Sequence, residues 1–296
     1  MKILIGYDGS ECADAALIDL NRAGLPRDTE VLVVSTADVF IPPEDVEEEE
    51  LFPAYVPESV KLARERAQRT FEEAERLSRQ AAQKLREIFS EWTVNSVATA
   101  GVPHWEIIAK TEEWQPDLTV VGSHGRTALG RFILGSVSQK VLFEAACSVR
   151  IARGRVLPPE RPIKLILATD GSPDADAMIH TVCAREWPGE TKIKLVTAVE
   201  SFHQYSDDPD TQFERVRNIQ MLAVKKLGDA GLAAEAVVTD IDPKSYLVTQ
   251  AEKWDADCIF LGAKGHRFFE RFLIGSVSSS VAARAHCSVE IVRKAA

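Results

Sequence analysis

Short, continuous apolar runs alternate along this chain with longer stretches whose apolar residues recur every three or four positions. The first run, KILIGY at 2–7, is what a strand buried on both faces produces, and Asp8, Gly9 and Ser10 end it. ECADAALIDLNRA (11–23) has helix-favouring composition and stops at Gly24 and Pro26. EVLVVSTA (30–37) is a second apolar run. From 58 to 89, Val60, Ala63, Ala67, Phe71, Ala74, Leu77, Ala81, Leu85 and Ile88 form one stripe at helical spacing, which predicts a long helix packed on a sheet. A third strand at 93–99, a helix opened by Pro103 and reaching Trp114, a fourth strand at 118–121, a helix from Ser136 and a fifth strand at 148–152 complete the pattern. Residues 40–57, with Pro42, Pro43, Pro53, Pro57 and the run Glu47 to Glu50, read as a long exposed loop and a candidate lid.

The pattern then repeats. From Pro103 to Arg153 the chain aligns without a gap to Pro243 to Arg293, with 19 of 51 positions identical. Unrelated sequence would match at about one position in sixteen, so this is an internal duplication. Asp8-Gly9-Ser10 likewise matches Asp170-Gly171-Ser172. The second copy lacks most of the loop and long helix at 40–89, and its counterpart is SFHQYSDDPD (201–210) with a helix from about 211 to 229. GRVLPPERP (154–162), proline-rich and without apolar period, reads as a linker between a first domain at 1–153 and a second at 163–296. Alternating strands and helices predict an α/β fold in each half, with a parallel sheet, helices on both faces and right-handed crossovers.

At the centre of the duplication lies a glycine pattern, G-x2-G-x9-G-S. It comprises Gly122, Gly125, Gly135 and Ser136 in one copy and Gly262, Gly265, Gly275 and Ser276 in the other, each after an apolar strand. A glycine at a strand's carboxyl end lets the backbone turn and approach a ligand closely. The start of a helix offers unsatisfied N–H groups and a favourable dipole to an anion, typically phosphate. The plain alternative is a pair of tight turns with serine helix caps. Two copies in the same strand–loop–helix setting favour an anion site in at least one.

Composition narrows the function classes. A net charge of −10 and a pI near 5.2 argue against a general nucleic-acid surface or an anionic membrane partner. No apolar segment reaches membrane-spanning length, and MKILIGYDGS reads as a strand rather than a leader, so a cytoplasmic location is expected. The five cysteines show no metal spacing, and His104, His180, His203, His266 and His286 share no ligand spacing, so no metal cluster is expected. There is no nucleophile elbow, P-loop or kinase signature.

A strand ending in Asp-Gly-Ser, a later one ending in G-x2-G-x9-G-S-V-S, and a closing Cys-Ser-Val strand together resemble the universal stress protein family, twice over. The resemblance implies two tandem doubly wound, Rossmann-like domains of the adenine nucleotide alpha hydrolase type, each a five-stranded parallel sheet in the order 3-2-1-4-5. It also implies pairing of the domains through their fifth strands, with a homodimer left open, and bound ATP in one branch of the family. Carried over residue by residue, Asp8 and Asp170 would contact adenine or ribose, and Thr36 and Ala198 stand where backbone meets adenine. Gly122 and Gly262 would lie beside the ribose. Gly125, Gly135, Ser136 and Val137 would cradle phosphates, as would Gly265, Gly275, Ser276 and Val277. Mg²⁺ would bridge phosphate oxygens. His124 and Lys264, inside the loops, are candidates for phosphate contact or, equally, exposed loop side chains.

Two departures from the family pattern stand out. Ser148 and Ser288 replace a proline before the last strand, a change read as minor. The second glycine loop carries Phe268, Phe269 and Glu270, which would crowd or repel a phosphate tail, against the positive charge of Lys264, His266 and Arg267. With no evident catalytic group aimed at a γ-phosphate, the expectation is an ATP-dependent regulator in the stress response with little or no turnover. A nucleotide-free dimerisation scaffold and a slow ATP hydrolase are the alternatives.

Overall fold

The computed structural model describes residues 1–39, 58–125, 134–154, 161–199, 209–265 and 274–294, with side chains omitted at 209–212. The candidate lid at 40–57, most of the linker, and the bulky positions of the second glycine loop lie outside them.

In the first half, β1 (Lys2–Gly6) leads to α1 (Glu11–Asp19) and a 3-10 turn (Leu20–Arg22). Then follow β2 (Glu30–Ala37), α2 (Glu58–Ile88), β3 (Thr93–Ala100), α3 (Pro103–Trp114), β4 (Leu118–Gly122), α4 (Ser136–Glu144) and β5 (Ser148–Ala152). The second half repeats the order as β6 (Lys164–Ala168), α5 (Pro173–Cys183), β7 (Lys192–Ala198), α6 (Pro209–Asp229) and β8 (Ala234–Thr239). It closes with α7 (Pro243–Trp254), β9 (Cys258–Gly262), α8 (Ser276–Arg284) and β10 (Ser288–Val292). Each half has its strands in the order 3-2-1-4-5, all parallel. β5 and β10 pair antiparallel and join the halves into one ten-stranded sheet, β3-β2-β1-β4-β5-β10-β9-β6-β7-β8.

Alternation along the strands divides the core. Leu4, Val121, Ile166 and Ile259 face α3, α4, α7 and α8 in one apolar layer that runs across both halves. Ile3, Ile5 and Val120 face α1 and α2 on the other side, while Leu165, Leu167 and Phe260 face α5 and α6. In α2 the stripe is narrower and shifted from the expected one. Ala67, Ala74, Ser78, Ala81, Ala82 and Leu85 are buried, but Ala63 and Ile88 are exposed. The 31-residue helix buries no residue before Ala67, and its counterpart α6 has 21 residues.

The buried cysteines give a direct check on this packing. Burial pushes the Cys258 thiol well above its ordinary range and that of Cys287 up to about 12. Both are at most 1% exposed. Alkylation of the native protein at pH 8 should therefore leave these two unmodified, whereas both react in denaturant. Peptide mapping would read this, and native labelling of either would contradict the packing of β9 against β10.

Candidate functional site

Parallel strands leave their carboxyl ends along one edge of the sheet, and the strand order reverses between β1 and β4, and again between β6 and β9. A crevice opens where adjacent connections leave to opposite faces. Asp8 and Asp170 stand at these reversals, followed by Gly9 and Gly171 in the left-handed region at φ 75° and 77°. The next residue caps a helix. The Ser10 Oγ accepts from the Ala13 amide at 3.1 Å, and the Ser172 Oγ from Ala175 at 3.3 Å. Each aspartate accepts through Oδ1 from the cap's own amide, at 3.0 Å from Ser10 and 2.9 Å from Ser172. The other oxygen is aimed at the glycine loop. A Cβ on Gly125 would stand 2.8 Å from the Asp8 Oδ2, and one on Gly265 2.6 Å from the Asp170 Oδ2. The second glycine of the pattern is there because the carboxylate approaches its backbone.

The loop's two ends are tied together. The Gly135 amide donates to the Ser123 carbonyl at 2.8 Å, and that of Gly275 to the Ala263 carbonyl at 2.8 Å. Below them the Ser138 hydroxyl donates to the Gly122 carbonyl at 2.6 Å, and Ser278 does the same to Gly262 at 2.7 Å. These hydroxyls fix the start of α4 and α8 against the preceding strand end. Sequence reading passed over both, although each is the second serine of the repeated G-S-V-S. The serine caps of the plain alternative do not form: the helices begin at Ser136 and Ser276, Gly135 and Gly275 occupy the N-cap, and neither helix has a side-chain cap. Each half thus sets at its crevice a helix closed by serine (α1, α5) and a helix whose first-turn amides meet no capping side chain (α4, α8). Such an open start suits an anion.

In the second half these parts enclose a cavity of about 280 Å³. All seven residues singled out there line it: Asp170, Ala198, Gly262, Gly265, Gly275, Ser276 and Val277. Lys264 is a further lining residue. Asp242 and Lys244, at the start of α7, line it too and were missed, although their place beyond the carboxyl end of β8 was a usable signal. Desolvation pushes the Asp242 carboxyl up, but hydrogen bonds from Ser245 outweigh it and leave the group below its ordinary range.

The first half brings together Asp8 with Gly125, Gly122 with Ser138, and Gly135 with Ser123 in the same way. Ser136 and Val137 open α4. Thr36, at the end of β2, shares its hydroxyl with Thr99 at 3.0 Å. His104 and His124 stand where the second half has Lys244 and Lys264. Burial, with the nearby charge of Arg153, pushes the His124 imidazole below its ordinary value, and its Nδ1 lies 3.1 Å from the Ser123 Oγ. The described residues hold no cluster of three His, Cys, Asp or Glu side chains arranged for a metal ion. No described helix is long and apolar enough to cross a membrane.

Known proteins share this architecture. A protein of Methanocaldococcus jannaschii, a universal stress protein, is 36% identical over 76 residues, covering 25% of this chain and 45% of its own length. One from Mycobacterium tuberculosis is 25% identical over 197 residues, 61% of this chain and 63% of its own. The chain therefore spans less than two thirds of the length of these relatives. A solved universal stress protein from Archaeoglobus fulgidus superposes with a TM-score of 0.68 at 20% identity, covering 99% of this chain and 98% of that one, a likeness of fold. The model of the universal stress protein family matches residues 1–153 and again 163–293. With both halves matched over almost their whole length, this chain belongs to the universal stress protein family.

Proposed function

We propose that the two crevices bind adenine nucleotide, ATP in the first instance, and that occupancy regulates the protein's interactions in a stress response with little or no turnover. The reading is carried by one observation: the seven residues chosen from sequence in the second half all line a single cavity beside an uncapped helix start. In this reading Asp170 and Asp8 accept hydrogen bonds from the sugar or base. The first-turn amides at Ser276 and Val277, and at Ser136 and Val137, donate to phosphate oxygens. Lys244 and Lys264 add positive charge in the second crevice. Mg²⁺, if carried, is held by the phosphate oxygens, as this cation usually is with nucleotides.

Native mass spectrometry of the purified chain, followed by titration with ATP and Mg²⁺, tests the reading. Two adenine nucleotides per chain are expected, falling to one in Asp170→Ala. No binding at millimolar ATP would overturn it. Phosphate release at about 1 s⁻¹ or faster would replace the regulator with an enzyme.

A further inference from the structure

The two halves are copies, yet the strand that joins them does not treat them as interchangeable. In the antiparallel pairing of β5 with β10, Val149 faces Ile291, Ile151 faces Val289, and Arg150 faces Glu290. Arg150 and Glu290 are the same position of the duplicated unit, so the local two-fold axis runs between them. Both are essentially unexposed, at 1% and 0%. The Arg150 Nη1 donates to the Glu290 Oε2 at 3.0 Å. Behind them stand one group from each half that its copy lacks. Asp19 of α1 accepts from the Arg150 Nε at 2.7 Å and from the Ser288 hydroxyl at 2.7 Å, and its counterpart is Thr181. Arg185 donates through Nη1 and Nη2 to Glu290, and through Nη1 to the Ala23 carbonyl at 2.9 Å; its counterpart is Ala23 itself.

A second contact has the same one-sidedness. Gly24 lies under the Trp187 ring so closely that a Cβ there would be 2.7 Å from ring carbons. Position 24 corresponds to Glu186, and position 187 to Leu25.

We infer that the fifth-strand interface is built to accept only the opposite half and to reject a copy of the same half. A first half paired with another first half would set Arg150 against Arg150, with Cα atoms about 5 Å apart, where like charges are unfavourable. Each arginine would keep its own Asp19, so the pair would not be bare, but the Arg–Glu bond and the Trp187 contact would be gone. Two second halves would set Glu290 against Glu290, each keeping its own Arg185 but losing Arg150, and would drive a Glu186 side chain into Trp187, where only glycine fits. Same-half pairing therefore fails on charge in one case, and on charge and volume in the other. The partner this surface fits is a complementary half, from the same chain or another copy. A buried pair at a symmetry axis acts here on specificity, since desolvation offsets most of its attraction.

Two full-length variants, Arg150→Glu and Glu290→Arg, test this. Each puts like charges on the axis of a closed chain, so each alone should lose about tenfold or more of the hydrogen-exchange protection of β5 and β10 amides. Mixed one to one, the Glu290→Arg chain still presents Arg150, and the Arg150→Glu chain still presents Glu290. Native mass spectrometry should then show a heterodimer that neither variant forms alone or with the unaltered chain. Retained protection in both variants overturns the inference, as does failure of two folded chains to associate on mixing. If the reversed chains do not fold, Arg150→Gln, Glu290→Gln and the double variant decide by their urea unfolding constants. A double effect smaller than the product of the single fold-changes supports the pair as a unit, and a multiplicative one overturns it.

Discussion

Glu290→Ala should destabilise this protein by about 3–5 kcal/mol, the range found when one member of a buried ion pair is removed. The carboxylate accepts from Arg150 and twice from Arg185, in a site where none of the three side chains is more than 3% exposed. With alanine there, Arg150 keeps Asp19, but Arg185 keeps the Ala23 carbonyl and the face of the Phe260 ring and no carboxylate. One guanidinium then remains buried without a carboxylate, and a small cavity adds to the cost. A guanidinium in a protein does not shed its charge by deprotonation, so the cost is not relieved that way. Urea denaturation followed by circular dichroism measures the loss. Glu290→Gln, which keeps volume and one acceptor, should fall between the two, and a change of under about 1 kcal/mol for alanine would contradict the geometry.

How little of that cluster was legible in the sequence is instructive. Duplication reveals the strands, the glycine loops and the repeated Asp-Gly-Ser, because those features are copied and conform to local rules, whereas the approach of Asp8 to Gly125 and of Asp170 to Gly265 is seen only in the fold. The axis pair is the reverse case. Arg150 and Glu290 look like one more mismatch between the copies, and only the register of β5 on β10 makes them partners. Ser148 and Ser288 were read as a minor change from proline. In the fold each hydroxyl accepts an amide of the other half, Arg293 N at 3.2 Å and Arg153 N at 2.9 Å, which a proline side chain cannot do. The arginines at those positions reach on to carbonyls ending the opposite helix, Leu142 and Ala282. Contacts across a pseudo-two-fold join residues about 140 positions apart, and no helical or strand period reports them. The serine-capped alternative fails for a local reason: a serine beside a glycine suggests a side-chain cap, but the extended backbone falls one residue earlier, at Gly135 and Gly275.

Gly275→Asp should abolish nucleotide binding in the second crevice while leaving the fold as stable as before or more so. Gly275 has φ −61° and ψ 150°, extended backbone that aspartate adopts readily, and a Cβ there would meet the Ala263 carbonyl oxygen at 3.4 Å, ordinary contact. Aspartate at an N-cap accepts from first-turn amides and suits the helix dipole, a gain over glycine of about a few tenths of a kcal/mol. The same carboxylate takes the donors a phosphate would use and repels it. Losing two charge-assisted hydrogen bonds at about 1.5–3 kcal/mol each weakens binding by about 100-fold or more. Calorimetric titration and thermal melting on one sample separate the two effects, since misfolding would lower both. Gly135→Asp should likewise empty the first crevice, though with a loss of stability, since a Cβ there meets the His124 Cα and the Ser123 carbonyl oxygen at 3.3 Å; each single variant then retains one nucleotide and the double variant none. A stabilised Gly275→Asp chain that still bound ATP with unchanged affinity would mean that the amides opening α8 do not hold phosphate, and the glycine pattern would then be a way of turning the chain and nothing more.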